Sequence, residues 1–169
     1  MPDVTEEESS VYAVVIPNIR WSKEEPALIH SQTCPDAYLE KLISYIKNDM
    51  PTLQDETLSD FIDRDKTSGN LQKARFDFDY TFFNMNDFLE TTYKRKNIFT
   101  SFSWELFRDK FEEGSIICVS RVGFNTNYTQ AFLYASSVDA GLAGRGYYIL
   151  LKCIDNAWEI EAISLAWMS

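Results

Sequence analysis

The sequence predicts an α+β fold in which N-terminal helices pack on a C-terminal antiparallel meander of about four strands. Three observations carry that reading. Residues 115–165 divide into four β-rich segments, Ser115–Val122, Tyr128–Ser137, Gly146–Cys153 and Ala157–Leu165. Their connections are short, with Phe124-Asn125-Thr126-Asn127 and Asp155-Asn156 as marked turns. Strands joined so tightly pair antiparallel, because parallel neighbours need a crossover of about a dozen residues or more. All five prolines lie in the first 51 residues and all six glycines from residue 69 onward, so proline punctuates a helical part and glycine a sheet part. Helices first and strands last is the order of α+β rather than α/β.

The acidic start, residues 1–10, reads as a disordered tail. Ser9–Ile16 suits helix or strand, because Val11, Tyr12, Val14 and Val15 fit either period, and Pro17 ends both. Ala27–Ser31 reads as a short strand. Asp36 is a good N-cap for a helix over Ala37–Asn48, with Leu39, Leu42, Ile43 and Ile46 on one face and Pro51 as its stop. Asp55–Arg64 is a second helix, turning Leu58, Phe61 and Ile62 inward and Asp55, Glu56, Asp60 and Asp63 outward. Lys66–Asn70 is a polar loop. In Ala74–Asn84, Phe76, Phe78, Tyr80 and Phe82 alternate with Asp77, Asp79 and Thr81, as in a half-buried strand.

Asn84 or Asn86 caps a short helix to about Tyr93, with Phe88, Leu89 and Tyr93 inward. The basic Lys94-Arg95-Lys96 suits its C-terminus. Ser101 or Ser103 caps another helix to Phe111, striped by Trp104, Phe107 and Phe111, and Gly114 breaks the chain into the sheet. Within the sheet Tyr128, Gln130, Phe132 and Tyr134 share one face. Trp158, Ile160 and Ala162 face away from Glu159 and Glu161, so one side of the last strand is wet.

A chain of 169 residues fits one domain over 1–169, and 45% hydrophobic with 15% aromatic residues is ample for a packed core. No apolar run approaches the ~20 residues of a membrane span. The start, Met1-Pro2-Asp3-Val4-Thr5 before Glu6-Glu7-Glu8, lacks the apolar core of a signal peptide. A cytoplasmic protein is expected, and an exported one with its leader removed is the alternative. The net charge is −10; residues 1–70 hold 14 acids against 6 bases and residues 71–169 hold 12 against 10. Such a surface repels phosphate backbones, so nucleic acid is excluded as a partner, whereas a basic protein suits the acidic half. Cys34, Cys118 and Cys153 are odd in number and irregular in spacing, which fits a reducing compartment rather than a disulfide framework.

The expected chemistry is non-catalytic, with no cofactor and no metal. His30 is the one histidine, and Ser31 and Cys34 beside it in sequence do not make a triad. The three cysteines with His30 lack the paired spacing of a zinc site. Gly141-Leu142-Ala143-Gly144-Arg145-Gly146 precedes a strand, not a helix, so it is a turn rather than a phosphate cradle. Asp77/Asp79 and Glu159/Glu161 face solvent, unlike a shielded acid–base pair. Asp60–Asp65 lacks the ligand alternation of a calcium loop.

The stretch Ser120-Arg121-Val122-Gly123-Phe124-Asn125, then Thr129-Gln130-Ala131-Phe132-Leu133-Tyr134, forms a pattern with Gly144-Arg145-Gly146-Tyr147-Tyr148-Ile149-Leu150-Leu151, Trp158-Glu159-Ile160 and Trp167-Met168-Ser169. It resembles an uncharacterised bacterial family over roughly residues 55–169, with weaker matches at Asp60-Phe61 and Trp104-Glu105-Leu106-Phe107. The resemblance implies a bacterial origin and transfers no activity. Export or lipoprotein leaders occur among such members. A looser likeness is to cone-shaped, nuclear-transport-factor-2-like domains, which host enzymes and pure binding modules alike.

Read physically, Gly123 relieves strain at a strand end, and Asn125 suits a turn with positive φ. Arg121 emerges on a wet face near Gln130 and Arg145, and these with Tyr148 and Asn125 are the candidate site for a ligand or partner. The competing and stronger reading is that Arg121 pairs with a helix carboxylate and pins the hairpin. The leading functional expectation is a non-catalytic interaction or accessory protein that binds a protein partner or itself. The alternatives are a ligand binder or enzyme with a pocket between helices and sheet, and an acidic inhibitor or immunity protein for a basic partner.

Overall fold

In the computed structural model of the chain, the described residues are 1–96, 104–111, 114–139 and 143–169, without the side chains of 91–96 and 104. The caps expected at Ser101 and Ser103, the Gly141–Leu142 turn, the side chains of the Lys94–Lys96 triplet and the inward Tyr93 and Trp104 lie outside them.

Helix α1 spans Glu6–Ile19. Thr5 Oγ1 accepts from the Glu8 amide at 3.2 Å, and the Glu8 carboxylate accepts from the Thr5 amide at 2.9 Å, a reciprocal capping box. The residues read as a disordered tail therefore start a helix. Pro17 sits inside its last turn instead of stopping it. Val11, Tyr12, Val15, Ile16 and Ile19 form one buried face, and that packing outweighs the proline's missing donor.

Strand β1 (Ala27–His30) leads to α2 (Leu39–Asp49) and α3 (Asp55–Asp65). Asp36 caps α2 as expected: its carboxylate accepts from the amides of Tyr38 and Leu39 at 2.9 and 2.8 Å, although the regular helix begins at Leu39 rather than Ala37. In α3, Leu58 and Phe61 are buried, but Ile62 is 39% exposed rather than inward. Strand β2 covers only Tyr80–Phe83. The rest of Ala74–Asn84 is held by rings, not by a ladder: Phe76 stacks on Phe78 at 5.1 Å and meets Tyr80 edge-on at 5.1 Å. Helices α4 (Met85–Lys96) and α5 (Trp104–Phe111) follow, then β3 (Ile116–Val119), β4 (Gly123–Phe124), β5 (Gln130–Val138), β6 (Gly144–Ile154) and β7 (Ala157–Met168).

The architecture is α+β, but the sheet corrects the four-strand meander. It is mixed and has seven strands, ordered β2-β1-β3-β5-β6-β7, with β4 also on β5. Strands β2, β1 and β3 run parallel, and β3 to β7 pair antiparallel through β5 and β6. The helical stretches between β1, β2 and β3 supply the long crossovers that parallel neighbours need. The central strands are covered on both faces, whereas Glu159, Glu161, Ile163 and Leu165 of β7 are exposed. Ile117, Val119, Ala131, Leu133, Ile149 and Leu151 meet α1, with the rings of 76–82 packed beside them. Phe132, Tyr134, Tyr148 and Leu150 meet α2 and α3, while Leu28, Ile116 and Val138 meet α4 and α5. Every residue of β5 from Gln130 to Ser137 is buried.

The expected strand Ser115–Val122 is interrupted. Val119 pairs with Ala135 and Gly123 with Phe132, so Ser120, Arg121 and Val122 stand opposite only Leu133 and Tyr134. That extra residue is a β-bulge, which re-aims a side chain. The Ser120 hydroxyl accepts from the Tyr134 amide at 2.9 Å, and the Tyr12 hydroxyl donates to the Ser120 carbonyl at 2.8 Å. The bulge is thereby tied to both β5 and α1.

Candidate functional site

The bulge turns Arg121 toward α1 and the end of α3. Its Nε and Nη2 donate to the two Glu8 oxygens at 2.7 and 2.9 Å, and Nη1 reaches the Thr67 carbonyl at 3.5 Å. The Val122 amide also donates to Glu8, at 3.2 Å, beside the Thr5 amide of the capping box. The Glu8 side chain is fully buried and that of Arg121 is 9% exposed. Hydrogen bonding to Glu8 pushes the Arg121 guanidinium above its ordinary value, against the opposing effect of burial. Arg121 is therefore not on a wet face; it pairs with a helix carboxylate.

Asn125 and Gln130 are equally committed to the fold. The Asn125 carbonyl oxygen accepts from the Thr129 and Gln130 amides at 2.8 and 3.0 Å, and its amide donates to Gln54 and Thr129. Its backbone does not take positive φ; Tyr128 does, at 54°. Gln130 Oε1 accepts from the Gln54 amide and the Thr57 hydroxyl at 2.8 and 2.9 Å, and Nε2 donates to the Thr52 carbonyl at 2.9 Å. It satisfies the exposed donors at the start of α3 that any helix leaves open. Gly123 serves close packing rather than strain: a Cβ there would overlap the Phe61 backbone and the Thr57 carbonyl.

Arg145 lies apart from these three, over the Trp21 ring at 4.2 Å. Tyr148 is fully buried, parallel to Phe132, and its hydroxyl donates to Asp36 Oδ2 at 2.8 Å. Burial and the Asp36 carboxylate raise this phenol well above its ordinary value. The five candidate residues do not converge on one open site.

A different site is formed where Tyr148 meets Asp36. The Asp36 amide donates to Asp65 Oδ2 at 2.6 Å, and the Arg121 amide donates to Asp65 Oδ1 at 3.3 Å. Burial pushes the Asp65 carboxyl up, with these two amides opposing it. Above this pair, the start of α2 and the end of α3 enclose a groove of about 430 Å³. Pro35, Ala37, Leu39, Ile43, Phe61 and Ile62 form its apolar walls. Asp36, Glu40 and Asp65 bring negative charge, Lys41 and Lys66 positive, and Lys66 is held by Asp63 at 2.7 Å. Tyr38, beside the groove residues in sequence, is 43% exposed.

The carboxylates of Asp36 and Asp65 are fixed by backbone donors, so the groove presents them in set positions. Asp36 was legible as a cap, whereas Glu8 was missed although the Thr5-x-x-Glu8 spacing of a capping box marks it. No local pattern marks Asp65, which is joined to the others only by the tertiary fold. His30 stands elsewhere, its Nδ1 2.9 Å from the Gln32 carbonyl and its ring edge-on to Phe83. Among the described residues no group of three or more His, Cys, Asp or Glu side chains gathers as a metal site would. No helix among them is long and apolar enough to cross a membrane. No protein-family model matches the chain, and no curated protein or solved structure does either.

Proposed function

We propose that this chain is a non-catalytic interaction protein whose α2–α3 groove receives an apolar side chain carried on a basic segment of a protein partner. The observation that carries the reading is the groove itself: apolar walls from Leu39, Ile43, Phe61 and Ile62 beside the carboxylates of Asp36, Glu40 and Asp65. Its 430 Å³ lies within the ~300–1,000 Å³ of ordinary binding pockets, and it takes one large aliphatic or aromatic anchor. The surrounding half of the chain is the acidic one, with 14 acids against 6 bases over residues 1–70. That field steers a basic partner and repels an acidic one. The hydrogen bonds that hold Asp36 and Asp65 favour recognition over proton transfer, because both carboxylates already accept from backbone amides. The bacterial pattern and the cone-shaped likeness add no activity to this reading. We take the compartment to be the cytoplasm, on the ground that the three cysteines form no disulfide framework.

The test combines affinity purification from the native source with binding of the recovered partner to purified variants. Ile62 is partly exposed on the groove wall, so Ile62→Glu leaves the core intact and places a charge where the anchor sits. The variant should lose the partner, and wild-type affinity should fall with rising salt. Recovery of the chain alone, or a partner that binds Ile62→Glu as tightly as wild type, overturns the proposal. A small molecule in the groove with no protein partner would favour the pocket-binding alternative.

A further inference from the structure

We propose that Cys34 and Cys118 form a reactive dithiol that closes to an intramolecular disulfide on exposure to a hydroperoxide. The two residues are far apart in sequence and adjacent in space. The Cys34 amide donates to the Val119 carbonyl at 2.8 Å, which seats Cys34 beside the end of β3. Their side chains interact, and the Cys34 thiol also donates to the Gln32 carbonyl at 3.8 Å. Both are half-buried free thiols, so a small oxidant has access while the fold holds the sulfurs together. Cys153, the third free thiol, lies near the end of β6 and pairs in register with Trp158. It is the internal control.

The arrangement assigns roles within the pair. The contact between the two thiols favours the thiolate at Cys118 and, with burial, pushes the Cys34 thiol up, while the Gln32 carbonyl stands 3.8 Å from Cys34 Sγ to accept its hydrogen bond. The thiolate is the nucleophile in such chemistry. With hydrogen peroxide, the Cys118 sulfur attacks one peroxide oxygen and the O–O bond breaks. The departing hydroxide takes up the proton that Cys118 gave up and leaves as water, with a sulfenic acid on Cys118. The Cys34 sulfur then attacks the Cys118 sulfur. The S–O bond breaks, and the second hydroxide leaves as water with the Cys34 proton. Two thiols lose one electron each and the peroxide gains both.

Cys34 immediately precedes Pro35 and Asp36, which line the α2–α3 groove. The disulfide therefore ties the segment entering the groove to β3. The site itself does not depend on what the groove binds.

The experiment uses the full reduced chain, treated with hydrogen peroxide, quenched by alkylation and mapped as peptides by mass spectrometry. The expected product carries a Cys34–Cys118 link and a free, alkylated Cys153. Cys153→Ser should behave as wild type, whereas Cys34→Ser should form no link and should accumulate a sulfenic acid on Cys118 that dimedone traps. The oxidised chain should unfold at higher urea than the reduced one, and dithiothreitol should reverse the shift. The proposal is overturned if the folded wild-type chain keeps its thiols, if the link involves Cys153, or if the link forms as readily in urea-unfolded chain. Because the wild-type map needs no variant, a substitution that fails to fold does not blunt the test.

Discussion

Arg121→Ala removes one partner of a buried, two-pronged ion pair. The Glu8 carboxylate then keeps only the Thr5 and Val122 amides as donors, at 2.9 and 3.2 Å, inside a site where it has no exposed surface. Removing one member of a buried pair costs about 3–5 kcal/mol, because the other charge stays buried without compensation. At about 1.4 kcal/mol per factor of ten, the folding constant falls roughly 100-fold to several thousand-fold. For a chain of this size the melting temperature drops by about 6–20 °C. The assay is urea unfolding followed by tryptophan fluorescence and far-UV circular dichroism, with a shared m-value across variants. Glu8→Met should cost a similar amount and should also open the capping box. The double variant Glu8→Met/Arg121→Ala should cost clearly less than the sum, since two apolar side chains leave no buried charge, giving a coupling of at least about 2 kcal/mol. Raising the salt concentration should change the wild-type value little, because the pair is shielded from solvent ions. A cost for Arg121→Ala below about 1 kcal/mol, or additive single variants, would refute the buried pair as the clamp between α1 and the bulge.

Two further outcomes follow from the same packing. Gly123→Ala forces a Cβ against the Phe61 backbone and the Thr57 carbonyl, so it should destabilise by about 1–3 kcal/mol, read as a lower urea midpoint; an unchanged midpoint would show that α3 does not rest on β4. Desolvation raises the phenols of Tyr12, Tyr134 and Tyr148 above the ordinary value of about 10, so the folded chain holds protons that the unfolded chain has released. Stability is therefore complete below pH ~10 and declines as pH rises above it. Phenolate absorbance should show fewer than the nine tyrosines titrating while the dichroism stays native, and the rest ionising together with unfolding. Smooth ionisation of all nine in a native chain would contradict the burial.

The antiparallel half of the sheet was legible because its signals are local. Asp155 and Asn156 both take positive φ, at 50° and 62°, as a two-residue hairpin turn demands, and β6 and β7 pair on either side of it. The parallel half was not legible. Ala27–Ser31 reads as a strand, yet nothing in those five residues says that Tyr80–Phe83 and Ile116–Val119 flank the observed Ala27–His30. Such pairings are decided by how the crossover helices cover the sheet. The tail reading of residues 1–10 failed because charge density was weighed and the Thr5-x-x-Glu8 spacing was not.

The candidate site failed for a related reason. The wet-face placement of Arg121 gives way to the stronger reading, a helix carboxylate, because α1 covers one side of the central strands while α2 to α5 cover the other. Once both faces are covered, a polar residue within the apolar stretch 116–138 must find a partner on another element or leave an uncompensated group. Arg121 finds Glu8, and Gln130 finds the start of α3. Arg121, Asn125 and Gln130 are thus committed to attachment within the fold rather than to recognition. The groove escaped notice because its walls look like ordinary helix faces in sequence. It takes shape only where Asp65, at the end of α3, meets the amide of Asp36 ahead of α2.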